Sequence, residues 1–174
     1  MVVWLIGLAG AGKTTIGREV VSRLRSRNRA TVFIDGDAMR AIMGEDLGHT
    51  VEDRRRNAGR VCRLCQYLEQ QGIDVVCAIL SLFSESRAWN RRHYARYVEV
   101  FISVPMEELV RRDQKGLYTG AREGRIRDVV GVDIPFEPPA APDLVVDNGY
   151  PLRSPSGIAE DILRALSEPA SPER

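Results

Sequence analysis

The sequence lacks an excess of charge of either sign, an apolar run of membrane length, and a set of cysteines that could form a framework. Lys and Arg number 25 against 24 for Asp and Glu in 174 residues, a formal net charge of +1. A chain so balanced has no bulk attraction for nucleic acid or an anionic membrane, so neither is an expected partner and any basic site must be local. The leading apolar run VVWLIGL, residues 2–8, is too short to span a bilayer. No basic flank precedes it and no small-residue cleavage site follows, so a cytoplasmic location is expected. The cysteines are Cys62, Cys65 and Cys77, an odd and small number that suits a reducing compartment. Cys62 and Cys65 form a CxxC without the second pair that a zinc site needs. It reads either as a redox or metal pair or as part of a buried helical stripe of Ala58, Val61, Cys62, Cys65 and Leu68; the stripe is favoured. Repeats, low-complexity tracts and a second domain are also missing. One domain is expected over residues 1–167, with a flexible tail at 168–174.

What is present is an alternation of strand and helix patterns. Strands are expected at 2–8, 30–35, 74–80, 97–103 and 143–147, with helices at 14–27, 52–71, 86–96, from Pro105, and at 156–167. DVVCAIL at 74–80 is apolar throughout, as a strand covered on both faces would be. The order predicts an α/β fold: a five-stranded parallel sheet with helices on both faces. Residues 115–142 break the rhythm, being glycine-rich, proline-terminated and weakly periodic. Such a segment suits a lid or binding loop.

GLAGAGKT, residues 7–14, fits G-x-x-x-x-G-K-[ST], between an expected strand and an expected helix. Glycines let the backbone turn so that its N–H groups and the helix N-terminus cradle phosphate. Lys13 would reach the β- and γ-phosphates, and Thr14 would offer its hydroxyl to Mg²⁺. The expected ATP-binding set is Gly7, Ala9, Gly10, Ala11, Gly12, Lys13, Thr14 and Thr15, in a P-loop fold.

The phosphate loop alone does not name an activity. A GTPase would bring N-K-x-D, which the chain lacks, and 174 residues leave little room for the contact modules of a motor. A small phosphotransferase needs acids near the transferred group, a basic acceptor pocket and a lid that excludes water. DGDAMR, residues 35–40, follows the second strand, where ligands of open parallel sheets sit. Asp35 and Asp37 could orient the acceptor hydroxyl, take its proton, or hold Mg²⁺ through water; helix capping is the plain alternative, and the roles can coexist. Arg40 could pair with an acceptor phosphate. Lys115, Arg122, Arg125 and Arg127 would bring positive charge with the lid. LGHTVEDRRRN, residues 47–57, is too polar for core and reads as a solvated face or a grip on an anion.

With these blocks in hand, the chain resembles the adenylylsulfate kinases over residues 2–147. GLAGAGKTT, DGDAMR, EDRRRN, AILSLFSESR, RDQKGLY and GVDIPFEPPAAPDLVVD match family blocks in order and spacing. The resemblance implies an ATP-dependent kinase of a ribose 3′-hydroxyl, with adenylylsulfate as acceptor, often as a dimer. It places Arg40, Arg54 and Asn57 on acceptor-binding positions, and Lys115 and Phe136 on the lid. It places Ser81 on a serine discussed as a phosphoserine intermediate; acceptor binding or helix capping is the alternative. Arg55 and Arg56 would face solvent or the helix surface.

Where the family has Gly-Phe-Ser, with the phenylalanine stacked on the acceptor base, this chain has Gly48-His49-Thr50. Ile-Arg-Arg becomes Ala58-Gly59-Arg60, and Ile-Ser-Pro becomes Leu80-Ser81-Leu82. The changes gather on the acceptor side while the donor loop is intact. Two acceptors therefore stay open, adenylylsulfate and a pyrimidine conjugate such as cytidine diphosphoramidate. Intact Lys13, Thr14, Asp35 and Asp37 weigh against a non-catalytic nucleotide-binding regulator.

Overall fold

The computed structural model describes residues 1–44, 46–113 and 115–167; the expected tail at 168–174 lies outside them. Five parallel strands form one sheet: β1 (Val2–Ile6), β2 (Thr31–Asp35), β3 (Asp74–Ile79), β4 (Tyr97–Ser103) and β5 (Leu144–Asp147), in the order β2-β3-β1-β4-β5. The helices are α1 (Lys13–Ser26), α2 (Gly36–Ile42), α3 (Val51–Gln70), α4 (Ser84–His93), α5 (Met106–Arg112), α6 (Leu117–Arg122) and α7 (Pro155–Ser167).

The period of two along β1 divides its side chains between two cores. Val3 and Leu5 join the layer under α1 and α7, which includes Ile16, Val20, Ile158 and Ile162. Val2, Trp4 and Ile6 face the layer under α3, with Val61, Cys62, Cys65 and Cys77. β1 is central, paired with β3 on one side and β4 on the other. It is buried on both faces, which accounts for its unbroken apolar run. The helical stripe of α3 is seen: Ala58, Val61, Cys62 and Cys65 are buried and Leu68 packs on the same core. Burial pushes the Cys62 thiol up to about 12 and Cys77 well above its ordinary value, so both are protonated, inert core groups.

α3 begins where Thr50 accepts from the Asp53 amide at 3.2 Å and ends before Gly72, whose φ of 78° suits a residue without Cβ. Two helices were missing from the pattern reading. α2 is only seven residues long, too short to show periodicity. α6 lies inside the segment expected to be irregular. It is organised by the Asp113 carboxylate, which accepts from the amides of Tyr118 (3.0 Å) and Thr119 (2.8 Å). Pro105 caps α5 rather than occupying its first turn. Among the described residues no helix is long and apolar enough to cross a membrane.

Candidate active site

The phosphate loop leaves the end of β1 and enters α1 at Lys13. Gly7 admits no side chain, because a Cβ there would lie 2.8 Å from the Ile102 carbonyl oxygen. Gly12 has φ 95°, and a Cβ would meet Asn148 Nδ2 at 2.8 Å. The loop carbonyls are tied by side chains. Lys13 Nζ donates to the Leu8 oxygen (2.8 Å), the Tyr118 hydroxyl to Ala9 (2.8 Å), Arg112 Nη1 to Gly10 (3.4 Å) and Asn148 Nδ2 to Ala11 (2.9 Å). Arg112 Nη2 also holds the Asn148 carbonyl at 2.6 Å. Carbonyls held this way cannot turn inward against an anion. The Ala11 side chain is core, so only its backbone is open to phosphate, and Thr15 is exposed.

Lys13 faces two acids. Burial pushes its ammonium down to about 8, with Asp37 and Asp35 pulling it up and Lys115 pulling it further down. Asp35 ends β2 and divides its carboxylate between two tasks. Oδ1 caps α2, accepting from the amides of Asp37 (3.0 Å) and Ala38 (3.4 Å), while Oδ2 accepts from the Thr14 hydroxyl at 2.8 Å. Capping and siting beside the phosphate loop do coexist. Thr14 and Asp35 thus present a hydroxyl and a carboxylate side by side, hard oxygen donors of the kind that Mg²⁺ accepts together with substrate phosphates. The residues fit that ion.

Beyond Asp35 opens a cleft lined in part by Asp37, Arg40, Arg54, Asn57 and Ser81. The five come from α2, α3 and the turn after β3, distant in sequence. Arg40 is held by the Leu47 (3.2 Å) and Gly48 (2.6 Å) carbonyls. Arg54 is held by the His49 (2.8 Å) and Asp128 (2.9 Å) carbonyls. Carbonyls position a guanidinium without cancelling its charge, and each retains N–H donors for a ligand. Burial, then Arg40, depress the Arg54 guanidinium below its ordinary value, with Asp128 and Asp37 opposing.

Three expected acceptor residues lie outside the cleft wall. Lys115 Nζ pairs with Asp37 Oδ2 at 3.1 Å, joining segment 115–142 to α2. His49 is exposed beside the two arginines; burial, Arg40 and Arg54 lower its pKa, so it is neutral at pH 7. Phe136 packs on Phe101, ring centroids 6.1 Å apart. Arg56 is exposed and pairs with Glu52. Arg55 is not simply solvated: it pairs with Glu85 and lies over the Phe83 ring at 4.3 Å, tying α3 to the start of α4. Of the cations expected on a lid, Arg125 pairs with Glu123, while Arg122 and Arg127 are exposed.

Sequence reasoning missed Tyr118, Arg112 and Asn148, which hold the phosphate loop, and Trp4 and Arg87, which hold Ser81. Trp4 Nε1 donates to Ser81 Oγ at 3.0 Å, and Arg87 Nη1 to the Ser81 carbonyl at 2.8 Å. A tryptophan in an apolar strand carries no sign that its N–H has a task. Arg87 reads as an ordinary helix arginine.

A parallel sheet of this order, a phosphate loop after its central strand and an acid-and-arginine cleft beside it define a small P-loop phosphotransferase. The Adenylylsulphate kinase family model matches residues 1–147, and the chain belongs to that family. It is 41% identical over 153 residues to a cytidine diphosphoramidate kinase from Campylobacter jejuni, covering 84% of this chain and 85% of the relative. It is 40% identical over 147 residues to an adenylyl-sulfate kinase from Paraburkholderia xenovorans, covering 84% and 82%. The fold matches Mycobacterium tuberculosis APS kinase CysC, solved in complex with AMPPNP and APS. The TM-score is 0.89 at 33% identity, over 96% of this chain and 97% of that one.

Proposed function

We propose that the protein transfers the γ-phosphoryl group of ATP to the ribose 3′-hydroxyl of a nucleotide acceptor, converting adenylylsulfate to 3′-phosphoadenylylsulfate. The observation that carries this reading is the pair Arg40 and Arg54, positioned by carbonyls in the cleft that Asp37 also lines. Two such guanidiniums suit the phosphate and attached anion of the acceptor.

The geometry divides the two acids. Asp35 is committed to Thr14 and the α2 cap, whereas Asp37 lines the cleft. Asp37 is therefore the group that orients the acceptor hydroxyl and takes its proton as the new P–O bond forms. The bond from the γ-phosphorus to the β–γ bridging oxygen breaks, and ADP leaves. Lys13 offsets charge on the phosphates. Thr14 and Asp35 would hold Mg²⁺, which when bound with ATP neutralises the β- and γ-phosphates. Asn57 would hydrogen-bond the acceptor near Arg54. Segment 115–142 would act as the lid: Lys115 exchanges its bond to Asp37 for the substrate's anionic charge, and Phe136 covers the base.

One observation favours a second acceptor. His49 stands where the family's stacking phenylalanine is expected, and a smaller polar ring suits a pyrimidine. The relative from C. jejuni named for a cytidine conjugate is consistent with this. Competition between adenylylsulfate and cytidine and uridine diphosphate conjugates, with ATP, Mg²⁺ and products read by mass, tests the reading. Phosphate on adenylylsulfate is the expected product. Phosphate on a pyrimidine conjugate alone selects the second acceptor, and phosphate on none of them defeats both.

A further inference from the structure

Residues 46–50 lie between α2 and α3 and belong to neither helix. Three guanidiniums from the flanking helices fasten them. Arg40 Nη1 donates to the Leu47 (3.2 Å) and Gly48 (2.6 Å) carbonyls, and Arg54 Nε donates to the His49 carbonyl (2.8 Å). The third is Arg60, which is absent from the lining of the cleft. Its Nη1 and Nη2 donate to the two carboxylate oxygens of Asp46, each at 2.6 Å.

Helix α3 carries Arg54, Asn57 and Arg60 at intervals of three, so all three stand on one side of it. Arg40 and Asn57 line the cleft and also a neighbouring hollow, together with Met43, Asp46, Leu47 and Arg60. The Asp46–Arg60 pair is therefore one layer of side chains away from the cleft. As a surface ion pair it adds little to stability. Its value is directional: a planar fork bonded through two nitrogens to two oxygens fixes the carboxylate in place. Asp46 immediately precedes the three residues whose carbonyls hold Arg40 and Arg54, so an anchor at Asp46 fixes where those carbonyls lie. Without it, a stretch that includes Gly48 and has no ladder of its own would sample many conformations.

We infer that Asp46 and Arg60 are positioning residues for acceptor recognition. Their pair holds residues 46–50 in the conformation that aims the Arg40 and Arg54 guanidiniums into the cleft and sets the His49 ring beside them. Neither side chain touches the acceptor. The inference rests on the reading that the cleft takes the acceptor nucleotide. It also gives a task to the arginine retained in Ala58-Gly59-Arg60.

Two measurements test it. The first is steady-state kinetics with ATP and whichever acceptor the competition assay selects. Asp46→Asn and Arg60→Met each break the paired charges. If the stretch is then correctly placed for a tenth to a third of the time, acceptor KM rises about three- to tenfold. ATP KM and kcat should stay as they are, because the phosphate loop and Asp37 are untouched. Arg60→Lys keeps the charge but not the fork, and should fall between the unaltered protein and Arg60→Met. The double variant Asp46→Asn/Arg60→Met should be no worse than either single one, because both remove the same contact. The second measurement is amide hydrogen exchange by mass spectrometry, without acceptor. Arg60→Met should speed exchange in residues 46–50 and leave α1 unchanged.

Unchanged acceptor KM in both single variants makes the pair an ordinary surface contact and overturns the inference, whether or not exchange is faster. Additive effects in the double variant overturn it too, since each residue would then act by itself. So does an equal rise in ATP KM, which would mean general loosening of the domain. Arg54→Ala separates the inference from the reading beneath it. If Arg54→Ala raises acceptor KM and the Asp46 and Arg60 variants do not, only the inference fails. If Arg54→Ala also leaves acceptor KM unchanged, the cleft is not the acceptor site and both fall.

Discussion

The Thr14 hydroxyl donates to Asp35 Oδ2 at 2.8 Å, linking the first turn of α1 to the end of β2. The same carboxylate caps α2 through its other oxygen. One side chain therefore carries both a structural and a candidate catalytic task, and substitutions can separate them.

Asp35→Asn keeps an oxygen that caps α2 but loses the charge. Turnover should fall at least about a hundredfold with the melting temperature little changed. Asp35→Ala should lose turnover and also the cap, lowering Tm by roughly 2–4 °C for about 1 kcal/mol in a domain of this size. Near-normal kcat in Asp35→Asn, measured beside its melting curve, would remove Asp35 from the phosphoryl-transfer machinery.

Lys13 gives a pH prediction. Its ammonium titrates near 8 in the empty folded protein, against 10.5 ordinarily. Between those values the unfolded chain binds more protons, so the Lys13 contribution makes the fold more stable as pH rises through this window. Nucleotide binding should act oppositely. Phosphates favour the charged amine, so ATP binds with proton uptake above pH 8 and with falling affinity as pH increases. Titration calorimetry in two buffers of different ionisation enthalpy measures the uptake. Lys13→Ala should remove it and abolish transfer; persistent uptake in that variant would assign the proton to another group.

His49→Phe should raise kcat/KM for adenine acceptors relative to pyrimidine ones, because a larger apolar ring stacks better on a purine. The ratio of the two kcat/KM values is the readout. An unchanged ratio would mean that position 49 does not meet the base.

Tyr118→Phe and Asn148→Ala each remove a donor to a phosphate-loop carbonyl. Both should raise ATP KM about three- to tenfold and leave acceptor KM alone. Equal changes in both constants would point to general loosening of the domain.

Much of this site was legible from local chemistry. The loop from Gly7 to Thr15 needs glycines, a lysine and a hydroxyl at set spacing, so its position in the chain declares it. Asp35 and Asp37 were legible because the first ends a strand of a parallel sheet and the second follows it by two residues. α2 and α6 escaped notice because seven and six residues are too few for a 3.6-residue period to emerge. Arg55 was read as facing solvent or the helix surface; it is exposed, and its pairing with Glu85 escaped that reading because Glu85 lies on another helix.

By itself the sequence determined the alternation of elements, the parallel sheet, the phosphate loop and the family, because each depends on spacing along the chain. Tertiary structure decided which polar groups meet. It brought Asp37, Arg40, Arg54, Asn57 and Ser81 to one cleft, gave Asp35 rather than Asp37 to Thr14, and aimed the Trp4 N–H at Ser81. The reason is physical. Periodicity says which face of an element is buried, but a hydrogen bond between β1 and the turn after β3 depends on strand order and register. Here Trp4 pairs with Cys77, four residues before Ser81, and only the assembled sheet makes that pairing.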